Sequence, residues 1–200
     1  METATVYFED YTPENTAVTL ALALSRAKAL GIGKIVLAST TGATARAAME
    51  HFAGHGIRLV VVPHQHGFRE GKHPFPEGLA AALRGAGHAV HFGTMLFHTF
   101  NFYGNDTPSA MANLLRCFSQ GVKVCFEIVL MASDAGLCAP RERVIAVAGT
   151  ARGADTAMVM EAASSQHLKL LRVNELICKP YHSLNIDEVR ERLHGKKGKA

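Results

Sequence analysis

Several features are missing from this sequence of 200 residues, and each absence excludes a class of protein. No window holds 18 consecutive apolar residues, so the sequence predicts no membrane-spanning helix and no membrane partner. The four cysteines show no C-x-x-C spacing, which favours free thiols in a reducing compartment over disulfides or zinc. The first residues contain neither a basic region nor an apolar core of the kind found in signal peptides. We therefore expect a cytoplasmic protein.

The motifs of several large enzyme classes are also absent. The sequence contains no G-x-S-x-G, Walker A, G-x-G-x-x-G or H-E-x-x-H pattern, which argues against the common hydrolases, nucleotide triphosphatases, dinucleotide-binding enzymes and metalloproteases. Excess charge is small: the formal net charge is +4, and three lysines lie in the terminal sequence HGKKGKA. We therefore expect no nucleic-acid partner, and a basic flexible tail at residues 195–200. No repeat or long linker divides the remainder, so residues 1–194 are predicted to form a single domain.

Short apolar segments alternate with segments of helical periodicity, which is typical of α/β proteins with a mostly parallel sheet and helices on both faces. Strands are predicted at residues 6–8, 34–38, 57–62, 88–92, 143–148, 156–161 and 169–178. Helices are predicted at residues 12–30, 43–52, 77–86 and 109–120. Residues 121–133 alternate like a strand but are long enough for a helix, and the aromatic-rich segment 94–108 is predicted to be a loop.

A hydroxyl-rich junction follows the second predicted strand. Its members are Ser39, Thr40, Thr41, Gly42 and Thr44. The free N–H groups and the dipole of a helix N-terminus favour an anion, so the junction is a candidate phosphate site. The alternative is that Thr40 or Thr41 only caps the helix, as hydroxyl residues commonly do.

A glycine-rich loop, GTARGADT, follows the strand predicted at residues 143–148. Its candidate binding residues are Gly149, Arg152, Gly153, Asp155 and Thr156. Ligands of open α/β sheets bind outside the carboxyl ends of the strands, so this loop and the hydroxyl-rich junction are expected to share a pocket. Arg152 would give a bidentate contact to phosphate, and the glycines would let the backbone approach. The alternative is a tight turn in which Asp155 bonds its own backbone.

These two loops, in VLASTTGATA and VIAVAGTARGADTAMV, resemble the C-terminal α/β domain of pyruvate kinases, and small stand-alone relatives of that domain are more similar still. The resemblance also includes ENTAVTLALALSRAKALGI, HGFREG and GVKVCFEIVLMASDAG, and it covers most of residues 5–180. It implies the fold of that domain, with helix at residues 121–133. It also implies a phosphate-binding site, which some stand-alone relatives use for flavin mononucleotide (FMN).

The sequence departs from pyruvate kinases in two respects. A chain of 200 residues has no room for their catalytic barrel, which needs about 250 residues, so no pyruvate kinase activity is expected. The loop GTARGADT lacks the tryptophan and proline of the loop that holds a sugar bisphosphate effector, which argues against that ligand.

Further candidates come from the segments that carry the resemblance. Asn15 belongs to the first motif, and His64, Gly67 and Phe68 belong to the loop that is expected at the same sheet edge. Glu127 lies in an apolar segment, where a carboxylate is either a site residue or part of an ion pair.

Two further groups of residues have several interpretations. His64, His66 and His73 lack a nearby carboxylate or cysteine, so pocket lining or packing is favoured over a metal site. An aromatic cluster offers rings that would stack on a flavin, pack the loop or contact another subunit. Its members are Phe97, Phe100, Phe102 and Tyr103.

The sequence therefore predicts a domain that binds a phosphorylated small molecule, with FMN as the preferred cofactor and no assignable catalytic residue. The alternative function is a non-enzymatic regulatory domain that senses a phosphometabolite. Homo-oligomerisation remains open.

Overall fold

The computed structural model describes residues 2–68 and 70–194 of the chain, and the predicted tail at 195–200 lies outside them. The strands are β1 (Val6–Phe8), β2 (Lys34–Ala38), β3 (Arg58–Val62), β4 (Ala89–Val90), β5 (Arg143–Ala148), β6 (Thr156–Glu161) and β7 (Arg172–Pro180). The helices are α1 (Asn15–Leu30), α2 (Ala43–His51), α3 (Glu77–Gly85), α4 (Phe100–Tyr103), α5 (Thr107–Arg116), α6 (Gln120–Asp134) and α7 (Ile186–His194).

The seven strands form one sheet in the order β1-β7-β6-β5-β2-β3-β4. Only β6 runs against its neighbours, and the other pairs are parallel. The predicted α/β class with a mostly parallel sheet is confirmed. Parallel strands that are covered on both faces are continuously apolar, which explains the Ile-Val-Leu run of β2.

Two apolar clusters cover the two faces of the sheet. Ile35 and Leu37 of β2 pack with residues of α1, α2 and α3, whereas Val36 packs with residues of α6 on the opposite face. This division follows from the two-residue period of a strand, which sends successive side chains to opposite faces. The predicted three-layer arrangement is therefore confirmed.

Residues 121–133 are helical, as the resemblance implies. Ser119 has an extended backbone, and its Oγ accepts a hydrogen bond from the N–H of Val122 at 3.0 Å. This cap starts α6 and separates it from α5. The helix predicted at residues 109–120 is therefore wrong at both ends, because α5 begins at Thr107 and ends at Arg116. Both sides of α6 are largely buried, which is why its sequence does not show a simple amphipathic period.

Other boundaries also differ from the predictions. The segment predicted as a loop at residues 94–108 contains a 3₁₀ turn (Leu96–His98), the whole of α4 and the start of α5. A second 3₁₀ segment (Ser165–Leu170) precedes β7, so that strand starts later than predicted, and β4 is limited to two residues. The helix α7 was not predicted. Within the part of the chain that the structure describes, no helix is both long and apolar enough to cross a bilayer.

Candidate functional site

The candidate site lies at the carboxyl edge of the sheet, where β5, β2 and β3 are neighbours. The chain continues from β2 to β3 on one side and from β5 to β6 on the other. Connections that diverge from adjacent strands leave a crevice, which is the usual ligand position in open α/β sheets. The structure thus brings the hydroxyl-rich junction and the glycine-rich loop to adjacent strand ends, as expected.

Helix N-termini add positive potential to this edge. The helices α1 and α2 connect parallel strands, so each begins where the preceding strand ends. The start of α6 also lies there, because Gly121 approaches Thr156 so closely that a Cβ at position 121 would lie 2.1 Å from the Thr156 hydroxyl. Three helix dipoles with their positive ends at one edge favour a bound anion.

The hydroxyl-rich junction leaves the start of α2 open. Gly42 is the N-cap residue, with φ of 86°, and no side chain caps the helix there. The side chain of Ser39 instead contacts the third residue of α2: its Oγ accepts a hydrogen bond from the N–H of Ala45 at 3.2 Å. The alternative in which Thr40 or Thr41 caps the helix is therefore not what the structure shows.

The first N–H groups of α2 have no acceptor within residues 2–68 and 70–194; they belong to Gly42, Ala43 and Thr44. Glycine is required at position 42, since an added Cβ would lie 2.6 Å from Leu79 Cδ2 and the backbone is left-handed. Thr44 is buried and Thr41 is exposed at this end of the helix. The junction therefore combines unused backbone donors with two threonine hydroxyl groups.

The glycine-rich loop is held by Asp155. One carboxylate oxygen accepts a hydrogen bond from the backbone N–H of Thr150 at 2.9 Å, and the other accepts from the Thr156 hydroxyl at 2.8 Å. Burial raises the pKa of Asp155, while the hydrogen bonds from the backbone N–H of Thr150 and the hydroxyl of Thr156 oppose that rise. The tight turn considered from the sequence is thus present, and the Asp155 and Thr156 side chains are committed to it.

The two glycines of this loop make close contacts within the protein. A Cβ on Gly149 would lie 2.3 Å from the carbonyl oxygen of Gly153, and a Cβ on Gly153 would lie 2.2 Å from Thr16 Oγ1. Thr16 Oγ1 also accepts a hydrogen bond from the N–H of Ala154 at 2.9 Å. Both glycines therefore let the loop fold on itself and dock on α1.

Two side chains of the loop retain unused donors. Arg152 is exposed and forms no ion pair with any described residue. Thr150 is only 4% exposed, yet its Oγ1 has no hydrogen-bond partner among the described residues. Sequence reasoning missed Thr150, although its place directly after Gly149 at the end of β5 was a usable signal.

Asn15 has a local structural role. Its side-chain amide donates to the carbonyl oxygen of Asp10 at 3.2 Å and to Asp10 Oδ1 at 3.0 Å. These bonds close the turn between β1 and α1, at the same sheet edge as the two loops.

The loop after β3 supplies aromatic and imidazole rings. The rings of His64 and Phe68 lie 4.7 Å apart, and His64 Nε2 lies 3.2 Å from Thr40 Oγ1. His73 Nδ1 accepts from the N–H of Phe75, so Nε2 is the nitrogen that donates to the carbonyl oxygen of His64. His66 and Gly67, with φ of 74°, are exposed in this loop.

The enclosed space beside this loop is small. A cavity of about 50 Å³ lies among residues 64–68, 71 and 73–74, which is enough for a water-sized group. Within the described residues, no three histidine, cysteine or acidic side chains are grouped as metal ligands would be.

Glu127 lies under the turn at Leu96–His98. Its carboxylate accepts from Lys123 Nζ at 2.6 Å and from the N–H of Phe97 at 2.8 Å, and it lies 3.3 Å from His98 Nδ1. Burial alone would raise the pKa of Glu127, but the hydrogen bond from His98 and the charge of Lys123 lower it to about 2. The ion pair considered from the sequence is therefore present, and it fastens this turn to α6.

Two solved structures of pyruvate kinases are similar to this chain at low sequence identity. A pyruvate kinase from Cryptosporidium parvum is 14% identical over 78% of this chain and 24% of its own, with a TM-score of 0.40. A structure of a pyruvate kinase from the same organism in complex with ADP is 13% identical over 78% of this chain and 25% of its own, with a TM-score of 0.40. This chain thus spans about a quarter of their length.

A family model described as the pyruvate kinase alpha/beta domain matches residues 17–160. The match includes the hydroxyl-rich junction, the loop after β3, α6 and the glycine-rich loop. The chain belongs to the pyruvate kinase alpha/beta domain family.

Proposed function

We propose that this domain binds a phosphorylated small molecule, with FMN as the preferred ligand, at the carboxyl edge of β5, β2 and β3. The observation that carries the proposal is the set of unused hydrogen-bonding groups at this edge: the N–H groups that start α2 and the buried hydroxyl of Thr150. A buried polar atom without a partner costs free energy, and a phosphate oxygen would supply the missing partner.

The residues at the edge fit the phosphate of such a ligand. The N–H groups of residues 42–44 would donate to its oxygens, Thr41 and Thr44 would add hydroxyl groups, and Arg152 would approach from the neighbouring loop. The buried hydroxyl of Thr150 would donate a further hydrogen bond to the phosphate. Ser39, Asn15, Gly149, Gly153, Asp155 and Thr156 shape these loops through their contacts within the protein.

The remaining part of the ligand would meet the loop after β3. His64 and Phe68 present rings there, and the exposed backbone at Gly67 permits close approach. The cavity of about 50 Å³ is too small for a flavin ring, so the ring would lie across the open edge between the loops. FMN supplies hydride or one-electron chemistry when bound, while the protein provides position and electrostatics.

Titration with FMN and with riboflavin tests the role of the phosphate. Both share the flavin ring, so the wild-type protein is expected to bind FMN more tightly. The variant with Thr41→Ala and Thr44→Ala should lose about 1–3 kcal/mol of FMN affinity, because charge-assisted hydrogen bonds to the phosphate are removed. The variant should remain folded. Thr3→Ala is the matched control, since Thr3 is exposed and precedes β1 at the opposite edge. Unchanged FMN affinity in the double variant would contradict the proposal.

The purified protein also separates the two candidate functions. Yellow protein, with FMN identified by mass spectrometry of the released ligand, supports a flavoprotein. Colourless protein that is stabilised by sugar phosphates and not by FMN supports a regulatory domain that senses a phosphometabolite. Thermal unfolding reports either ligand, because a ligand that binds only the folded state raises its stability.

A further inference from the structure

An exposed apolar face lies on α4, α5 and the turn that follows α5. We call it the α4–α5 face. Its members are Phe100, Phe102, Tyr103, Met111, Leu114 and Phe118. Phe102 is 82% exposed, Leu114 67% and Tyr103 66%, which is unusual for side chains of this size.

The α5 part of this face follows helical spacing. Met111, Leu114 and Phe118 recur at intervals of three and four residues and face solvent, whereas Ala112 is buried beneath them. The helix therefore has two apolar surfaces, one that packs within the domain and one without a partner among the described residues. The helix α4, which precedes α5 in the chain, also exposes aromatic side chains, and the rings of its Phe102 and Tyr103 lie 4.8 Å apart.

A groove adjoins this face. It has a volume of about 420 Å³ and is lined mainly by apolar residues. One of them, Met111, also belongs to the α4–α5 face. Leu96, Phe97, Leu130 and Leu168 also line the groove. A two-fold interface uses the same patch of both copies, so that patch must be complementary to itself. A projecting aromatic group and a groove on one surface satisfy this condition.

The charge of the segment favours a second copy over a charged partner. Between Thr94 and Gln120 the sequence contains one acidic residue, Asp106, and one cationic residue other than histidine, Arg116. The segment itself therefore carries no net formal charge, and its own charges would not oppose the approach of a second copy. Depletion of charge together with enrichment in aromatic residues, Met and Arg is the compositional signature of protein interfaces.

The exposed area is also of the required size. An aromatic side chain has roughly 150–250 Å² of surface, so the four exposed rings contribute roughly 500 Å². The aliphatic members bring the face close to the roughly 800 Å² that each partner buries in a stable interface, and above the typical largest patch of a monomer, roughly 300–600 Å². We propose that two copies of this chain associate through the α4–α5 face, with Phe102 of each copy inserted into the groove of the other.

Sedimentation equilibrium of the full chain tests this proposal. We expect a mass of twice 21.5 kDa for the wild type, and a shift toward the single-chain mass for Phe102→Asp and for Leu114→Asp. Val18→Asp is the matched control: Val18 is an exposed aliphatic residue of α1, and its variant should remain dimeric. Circular dichroism checks whether each variant is folded. A variant that is not folded is replaced by the milder Phe102→Ser.

Cys117 provides a second measurement on the unaltered chain. It is exposed beside Phe118, whereas the other three cysteines are buried, so a maleimide reports on this face. The rate of labelling per chain should fall as protein concentration rises through the dimerisation range, and this protection should be absent in Phe102→Asp. A wild-type chain that stays at 21.5 kDa at all accessible concentrations would overturn the proposal, as would a dimer that survives both aspartate variants.

Discussion

Thr40 Oγ1 lies 3.2 Å from His64 Nε2, and this contact joins the loop that follows β2 to the loop that follows β3. Thr40→Val keeps the shape of the side chain and removes the hydroxyl. We expect a loss of about 0.5–1.5 kcal/mol in the free energy of unfolding, measured by urea denaturation. Thr41→Val, at an exposed position, should change that free energy by less than about 0.5 kcal/mol. Equal effects of the two substitutions would show that the loops are not joined through Thr40.

Gly153→Ala should destabilise the fold for two separate reasons. The left-handed backbone costs a non-glycine residue about 1–2 kcal/mol, and the new Cβ would overlap Thr16 Oγ1. Gly136→Ala is a matched control, because Gly136 has a similar φ of 70° and open space around the added Cβ. We expect the free energy of unfolding to fall further in Gly153→Ala than in Gly136→Ala. The reverse order would mean that the glycine-rich loop does not dock on α1.

Thr150→Val tests whether the unpaired hydroxyl serves a ligand. Without ligand, the variant should be as stable as the wild type or more stable by up to about 1 kcal/mol, because a buried hydroxyl that lacks a partner is removed. With FMN present, its ligand-induced rise in melting temperature should be smaller than that of the wild type. Thr150→Ser retains the hydroxyl and should retain the shift. A full shift in Thr150→Val would exclude Thr150 from the site.

Arg152→Lys tests for a bidentate contact. Lysine keeps the positive charge and loses the planar fork of the guanidinium, so we expect a smaller FMN-induced rise in melting temperature than in the wild type. The exposed position of Arg152 should leave the fold unaffected. If the lysine variant matches the wild type and both shifts fall with added salt, Arg152 contributes only long-range attraction.

Glu127→Gln should be the most destabilising of these changes. It leaves the buried Lys123 ammonium without its partner, which costs about 3–5 kcal/mol. The double variant Lys123→Met with Glu127→Gln should recover part of that loss, since no buried charge then lacks a partner. Chemical denaturation of the three proteins gives the comparison, and a double variant less stable than Glu127→Gln would contradict this account.

The same carboxylate predicts a dependence of stability on pH. The pKa of Glu127 falls from 4.5 to about 2 in the folded chain, so the ionised form stabilises the fold above about pH 4.5. That contribution is lost as the pH falls from 4.5 toward 2. The free energy of unfolding of the wild type should decline across this window, and the decline should be smaller in Glu127→Gln. Identical slopes in the two proteins would show that Glu127 is not the group responsible.

The sequence by itself determined the strands that form the centre of the sheet and the edge at which a ligand would bind. β2 and β5 are continuous apolar runs that end in glycine and hydroxyl residues, and local pattern is sufficient to recognise such segments. The stop of α1 at Gly31 was equally predictable, because a left-handed C-terminal residue is a local requirement that glycine meets. The position of both loops at one edge then follows from the parallel arrangement alone.

Only the tertiary structure decided how the individual residues of that edge are used. Asp155 and Gly153 look like ligand contacts in the sequence, yet one closes its own turn and the other packs on Thr16, which is distant in the chain. The unpaired hydroxyl of Thr150 and the ion pair beneath the turn at Leu96–His98 likewise depend on neighbours from other elements. A sequence pattern records which groups are available, whereas packing between distant segments determines which of them remain free to bind.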